Sequence, residues 1–286
     1  MSNEIETHRV QRFFEGIMIL AQQKISKLRN TVRSESGIKA KIAFFDQIGA
    51  TSMVERTTRH TDTPLIEIPH RRRSVIMKFF HTADLVDEAD ILEVINDPTS
   101  SYGQVMAMAA ARTIDEEIAK KFFVTAQTGE TGTDTADHPS SHQIASGSDP
   151  MTIAKLLAAK RILDESEEDP TQKRHGGVSA KQIEDMLNTT EVASSDFNTV
   201  KALAMGEINS YCGFDFTRYE GFPQVGAERA NPFWSESAML LAIGQDVKGR
   251  VSERDDKDYA TQIYYSLRVG STRMNETGVV RVLNTE

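Results

Sequence analysis

Asp134, Asp137, His138 and His142 come nearest to a metal site in residue type and spacing. Carboxylates and imidazoles ligate zinc, and histidines four apart share one helix face. Pro139 follows His138 directly and disfavours that helix, and no carboxylate base follows in a zincin pattern. The cluster gives no ligand set, and no metal is expected. Cys212 has no histidine near it in sequence and reads as a small buried hydrophobe. Nucleophile elbows, Walker loops, dinucleotide glycine fingerprints and local acid–base carboxylate pairs are all missing. No catalytic residue and no cofactor is expected. Catalytic groups can still converge from distant segments, so a hydrolase built on the linker cluster stays as an alternative. Arg71, Arg72 and Arg73 form the densest basic cluster. With no aromatic interleaving beyond Phe79 and Phe80 they make a poor nucleic-acid site. They fit a salt-bridging contact with an acidic neighbouring subunit; the plainer reading is a solvated turn.

Composition narrows the class. The 286 residues carry a formal charge of -9, so the chain is a poor generic binder of nucleic acid. Only 7% are aromatic, which is lean for a chain that buries everything by itself. A single cysteine excludes an internal disulfide framework and fits a reducing compartment. No apolar run is long enough to span a membrane, and the residues after Met1 are too polar for a secretory signal.

The element around which the rest must be organised is residues 97–126. Asp97 and Pro98 suit a helix start. Ala107, Ala110, Ala111, Ile114, Ile118 and Phe122 then recur at helical spacing, predicting a spine of roughly 40 Å whose alanines approach a sheet closely. Asp115, Glu116 and Glu117 are expected to meet solvent or a neighbour.

Before the spine, residues 4–33 read as an amphipathic arm, packed on its own domain or lying across a neighbouring subunit. IAFFDQIG (42–49) reads as a short buried strand. Leu65, Ile66 and Ile68 beside Val75, Ile76 and Met77 predict a hairpin over about 50–78 that lacks same-chain support. After the spine, 127–149 reads as a mobile polar linker. Asp149-Pro150 repeats the helix-start pair, with Ile153, Leu156, Leu157 and Leu163 lining the helix that follows. Ser179 and Gln182 have capping-box spacing. Residues 194–206 read as a short helix, the stretch around Gly213 as short strands, Ser235–Ala242 as a helix and 245–254 as a strand. Tyr259, Thr261, Ile263, Tyr265, Leu267 and Val269 alternate as a long strand, and GVVRVL as a last one.

This order of elements resembles the major capsid protein of tailed bacteriophages, the Hong Kong phage-type capsid fold shared with encapsulins. HRRRSVIMKFFHTADLVDEADILEVINDPTSSYGQVMAMAAARTIDEEIA resembles the passage from an extended loop into the spine helix. The "DP-x-S-x-Y … R-x-x-D" pattern falls on Asp97, Pro98, Ser100, Tyr102, Arg112 and Asp115. AKRILDESEEDPTQKRHGGVSAKQIEDMLNTTEVASSDFNTVKALAMGEINSYCGFDF resembles the axial domain. The resemblance implies an α+β chain: an N-terminal arm (1–41), an extended β-hairpin loop (42–80), a peripheral domain (81–148 and 263–286) with the long spine helix, and an axial domain (149–262). It further implies self-assembly into hexamers and pentamers of an icosahedral shell around packaged double-stranded DNA. Its partners would be further copies, a portal, a separate scaffolding protein (since Met1 argues against a clipped N-terminal segment) and in some relatives a cement protein, with no membrane. The place would be the virion, assembled in the host bacterial cytoplasm. An encapsulin-like cellular compartment is the alternative with the same fold.

Overall fold

The computed structural model of the protein describes residues 22–59, 62–63, 65–87, 99–166, 169, 171–188 and 210–285. The helical part of the expected arm before residue 22, the Asp97-Pro98 start and the helix expected over 194–206 lie outside them. Strands β1 (Arg33–Ser36), β2 (Ile42–Ile48), β3 (His70–Ile76) and β4 (Lys78–Val86) precede helix α1 (Thr99–Ala119). Short strands β5 (Ala126–Thr128), β6 (Asp134–Ala136) and β7 (Gln143–Ile144) lead to α2 (Ile153–Glu165), β8 (Arg174–Val178) and α3 (Ala180–Asn188). The rest is strand: β9 (Ser210–Tyr211), β10 (Phe214–Arg218), β11 (Gln224–Val225), β12 (Glu228–Ser235), β13 (Met239–Glu253), β14 (Thr261–Arg273) and β15 (Val279–Thr285). One sheet runs β1-β13-β14-β4 and a second β2-β3-β5-β6; the third runs β7-β15-β12-β8-β10-β9, with β11 added to β12.

Helix α1 lies on the first sheet. Ala110, Ile114 and Ile118 are buried with Leu241, Ile243, Leu267 and Val269 of β13 and β14. Full burial of each Ile or Leu stabilises by roughly 1.5–3 kcal/mol, so this stripe fixes the helix. The helix stops earlier than its periodicity suggests. Lys121 N–H turns back to the Ile118 carbonyl (3.0 Å), a tighter three-residue closure, and Phe122 leaves to pack on Trp234 at 4.7 Å between ring centroids. Its twenty-one described residues span about 31 Å.

The second layer packs α2 and α3 on the third sheet, through Leu156, Leu163, Met186, Phe214, Phe233, Val280 and Val282. Strand β12 joins the layers. Phe233 faces this core, and Trp234, one residue on and therefore on the opposite face, completes the core under α1. The expected boundary at 262/263 leaves β14 and β15 almost wholly on one side, and the two strands pack in different layers. β14 carries α1, whereas β15 pairs with β12 and lies under α2.

Several local expectations need correction. Helix α2 begins at Ile153, capped by the Thr152 side chain (3.4 Å from Lys155 N), not at Asp149-Pro150. Leu157 is 53% exposed, and Ala159 takes its place in the apolar stripe. Ser235–Ala242 is not a helix; beyond a 3-10 turn over Glu236–Ala238, β13 begins at Met239. Its run Met239–Ile243 has no period because both faces are buried. Leu241 and Ile243 lie under α1, while Leu240 and Ala242 lie against Val75, Met77 and Met274. Residues 126–144 are no free linker, since β5 and β6 extend the second sheet and β7 the third. β2 is half exposed rather than buried, and it, not 65–68, is the partner of β3. Residues 22–28 are irregular rather than helical, and Leu28 is fully buried. Cys212 is only half-buried, in a tight turn before Gly213.

Candidate functional site

The hairpin β2–β3 carries the basic cluster, and its register follows from charge and burial. Asp46 stands directly opposite Arg72, whose Nε reaches the Asp46 carboxylate at 2.6 Å. The guanidinium also lies 5.7 Å from the centre of the Phe44 ring. This proximity lowers the Asp46 pKa and raises that of Arg72 from their ordinary values. Strand alternation sends Arg73 to the other face, where it is 2% exposed. There Arg73 Nε donates to the Met274 carbonyl (3.3 Å) and Nη2 pairs with Glu276. Gln47 Nε2 donates to the same carbonyl at 2.7 Å. Arg71 is exposed at the end of the strand.

The structure thus divides the three arginines. Arg73 is an internal anchor, Arg72 is held across the hairpin, and Arg71 faces out. They line a cleft of about 840 Å³ with His70, Glu130 and Asp134. Its walls carry both charges, so it suits a polar protein surface better than a polyanion.

A second buried guanidinium supports the anchor. Arg273, at the end of β14, is fully buried and donates to the carbonyls of Phe122 (2.8 Å), Val124 (3.2 Å) and Ala136 (3.0 Å). Burial lowers its pKa from the ordinary arginine value, against the opposing pull of the nearby Glu276 carboxylate. Glu276 therefore answers two buried cations. Thr128 Oγ1 and Gly129 N–H both donate to the Arg72 carbonyl (2.8 and 3.1 Å), tying the hairpin to the former linker. At Gly270 an added Cβ would stand 2.5 Å from the Ile76 carbonyl oxygen, so only glycine lets the hairpin base approach β14 this closely.

Beyond this base, the described residues among 50–69 are all exposed. Gly49 N–H closes on the Pro69 carbonyl (2.8 Å), and past it Met53, Val54, Leu65, Ile66 and Ile68 are exposed, Met53 and Leu65 almost completely.

The C-terminal half of α1 also holds the arm's exit. Asp115 is fully buried; its carboxylate accepts from Ser26 Oγ (2.5 Å), Lys27 N–H (2.9 Å), Leu28 N–H (3.0 Å) and the Gln23 amide. Arg112 Nη1 donates to Gln22 Oε1 at 2.6 Å. Trp234 Nε1 fixes the Thr31 carbonyl at 2.8 Å. Glu117, buried too, pairs with Lys78 of β4 at 2.8 Å. So two carboxylates expected at the surface are internal ties. The signal in the sequence is spacing, since Asp115 stands four residues from both Ala111 and Ala119, beside the apolar stripe. Glu276, alone in a polar turn, gives none.

The four metal candidates are engaged separately. His138 Nε2 donates to the Val279 carbonyl (3.0 Å) with its ring edge-on to Phe123, and burial lowers its pKa to about 4. His142 lies within hydrogen-bond distance of Ser141 Oγ and Ser166 Oγ. Asp137 accepts from Thr125, and the Asp134 carboxylate closes over Gly129 in the β5–β6 turn. Among the described residues no three His, Cys, Asp or Glu side chains assemble into a metal site.

A family model for phage capsid protein matches residues 5–286. The fold is similar to the capsid of cyanophage P-SCSP1u, with a TM-score of 0.78 at 15% identity over 100% of this chain and 97% of that one. It is similar to the Mycobacterium phage Che8 structure at TM-score 0.72 and 17% identity, over 96% and 97%. The capsid of a native GTA particle gives 0.69 at 13%, over 100% and 98%. No curated protein matches the chain in sequence.

Proposed function

The chain belongs to the phage capsid protein family and is a major capsid protein of an icosahedral shell, and from that premise we propose how its parts serve assembly. The match over nearly the whole chain carries this reading, and neither the encapsulin nor the hydrolase alternative is favoured by it. Copies associate as hexamers and pentamers, and the closed shell holds double-stranded DNA without reading its sequence. An acidic wall suits a container that must release its contents. The layer of α1 with β13 and β14 acts as the peripheral part and that of α2 and α3 as the axial part. A scaffolding protein directs closure and a portal occupies one vertex, with assembly in the host cytoplasm; a cement protein is an optional addition. The work of the chain is geometric, with no catalytic residue and no cofactor, and many weak contacts multiply into a stable shell by avidity.

Within that reading Arg71 and Arg72 meet an acidic neighbour, whereas Arg73 holds the hairpin to its own subunit. Loop 49–69 projects onto an adjacent copy, which covers its exposed apolar side chains. Expression of the chain with its scaffolding partner, followed by sedimentation and negative-stain microscopy, tests the function. Closed particles of uniform size are expected; only monomers and small oligomers across assembly conditions would refute it.

A further inference from the structure

Strand β4 is an edge. It pairs with β14 over nine residues in continuous register, from Lys78↔Val269 to Val86↔Thr261, and among the described residues nothing pairs with its other side. Most of its length is exposed, and it has neither the proline nor the bulge that blunts open edges. Such an edge presents a row of free backbone donors and acceptors to any extended segment that reaches it.

The sheet face beside this edge has a definite chemistry. Helix α1 covers one face. On the other, Phe79 and His81 stack at 6.0 Å and His81 and Tyr264 at 6.2 Å. The register places Lys248 opposite Ser266, Arg250 opposite Tyr264 and Arg268 opposite Phe79 on this same face. Its positions 79, 81, 83 and 85, with 262–268 and 248–252 at the same parity, include those three cations and no carboxylate. It is an aromatic and cationic strip bordering an unpaired strand.

We propose that residues 65–69 of a second copy, Leu-Ile-Glu-Ile-Pro, add to β4 as a further strand. This rests on the shell-subunit reading and deepens it by naming the mode of contact. The segment is rich in strand-forming residues, yet it forms no strand in its own chain and every residue of it is exposed. Alternation puts Leu65 and Glu67 on one face and Ile66 and Ile68 on the other. With Leu65 and Glu67 over the aromatic and cationic strip, the carboxylate meets a face that has no negative charge of its own. Ile66 and Ile68 then fall on the helix side, where Tyr102 and Val105 of α1 are 38% and 37% exposed. Each subunit would donate one segment and accept another, a heterologous contact that closes into rings. Backbone pairing tolerates varied side chains nearby, which suits one surface meeting neighbours at slightly different angles.

The test uses the full chain in assembled particles. Leu65→Cys is combined in turn with Phe79→Cys, His81→Cys, Ala83→Cys or Leu85→Cys, all in a Cys212→Ser background. Oxidation is expected to crosslink neighbouring subunits through at least one of the four, and not through a control at Val225→Cys, an exposed position on the third sheet. Ile66→Pro and Glu67→Pro each remove one backbone donor from a segment outside its own chain's ladders. At least one is expected to lower particle yield by about tenfold or more, while Ile66→Thr keeps it. Particles of normal yield from both proline variants, or no crosslink to any β4 position, would overturn strand addition. Wild-type chains that form no particles would instead overturn the shell-subunit reading itself, so the two failures are distinct.

Discussion

Replacing Glu276 with alanine removes the carboxylate that stands between Arg73 and Arg273. Both guanidiniums are almost completely buried, and Arg273 keeps its three backbone carbonyls after the change. Arg73 keeps only the long contact to Met274 and is left as a buried charge. Breaking a buried pair by removing one partner costs about 3–5 kcal/mol. The Glu276 side chain is 18% exposed, which places the expected loss near the lower end, about 3 kcal/mol. Trp234 is the sole tryptophan and lies in the core beneath α1, so its fluorescence follows urea unfolding of the dispersed subunit directly. With a slope of about 3 kcal/mol per molar, the midpoint should fall by about 1 M. Glu276→Gln, which keeps an acceptor and loses the charge, should cost about 1–2 kcal/mol. The double change Arg73→Met with Glu276→Leu should recover most of the loss, because an apolar pair removes the desolvation cost along with the attraction. A Glu276→Ala midpoint within about 0.2 M of wild type, or a double variant no better than the single, would refute the anchor.

The other expectations are more direct. Asp115→Ala should cost about 3 kcal/mol and expose residues 22–28 to protease, because two backbone amides and two side chains lose one acceptor; unchanged cleavage would show the tie to be incidental. Arg71→Ala should lower particle yield without moving the subunit's urea midpoint, whereas Arg73→Ala should move the midpoint itself. The folded-state pKa of His138 lies below its unfolded value, so its contribution is fully present above about pH 6.5 and is lost as pH falls towards about 4. After allowance for partial exposure that loss is about 1–3 kcal/mol, and His138→Gln, which can still donate to Val279, should flatten the acid limb of the stability profile between those values. Gly270→Ala should separate the hairpin base from β14, seen as faster amide exchange at Val75 and Ile76.

Much of the fold was legible where a single pattern dominates. The spine helix, the alternating strand at 261–273 and the capping-box contact of Gln182 with Ser179 N–H (2.8 Å) follow from spacing alone. The strand pairing of the hairpin was not, because 42–48 and 65–68 are equally rich in strand formers. What separates them is tertiary, since Asp46 meets Arg72 and Gln47 reaches Met274 from the first and not from the second. Met239–Ile243 was misread for a related reason, since a strand buried on both faces loses the alternation that identifies strands. The site was legible as a concentration of arginines and illegible as a division of labour among them. Which arginine turns inward depends on Glu276, two hundred residues away in sequence, and no local pattern marks it.

Strand β1 pairs in parallel with residues 240–243, and β4 with residues 261–269, so the first sheet joins stretches from opposite ends of the chain. A ribosome adding about 5–20 residues per second needs about 10–40 s to travel from one partner to the other. During that interval neither early strand has its native neighbour, and the spine helix has no sheet to lie on. Native structure around α1 therefore forms only after synthesis is nearly complete, and contacts so distant in sequence close slowly. Under the role proposed for loop 49–69, the same topology keeps unfinished subunits from recruiting others, because the body that supports the loop does not exist until the last strands arrive. A nascent chain is in this way silent towards its neighbours, and the pool that enters assembly consists of finished molecules.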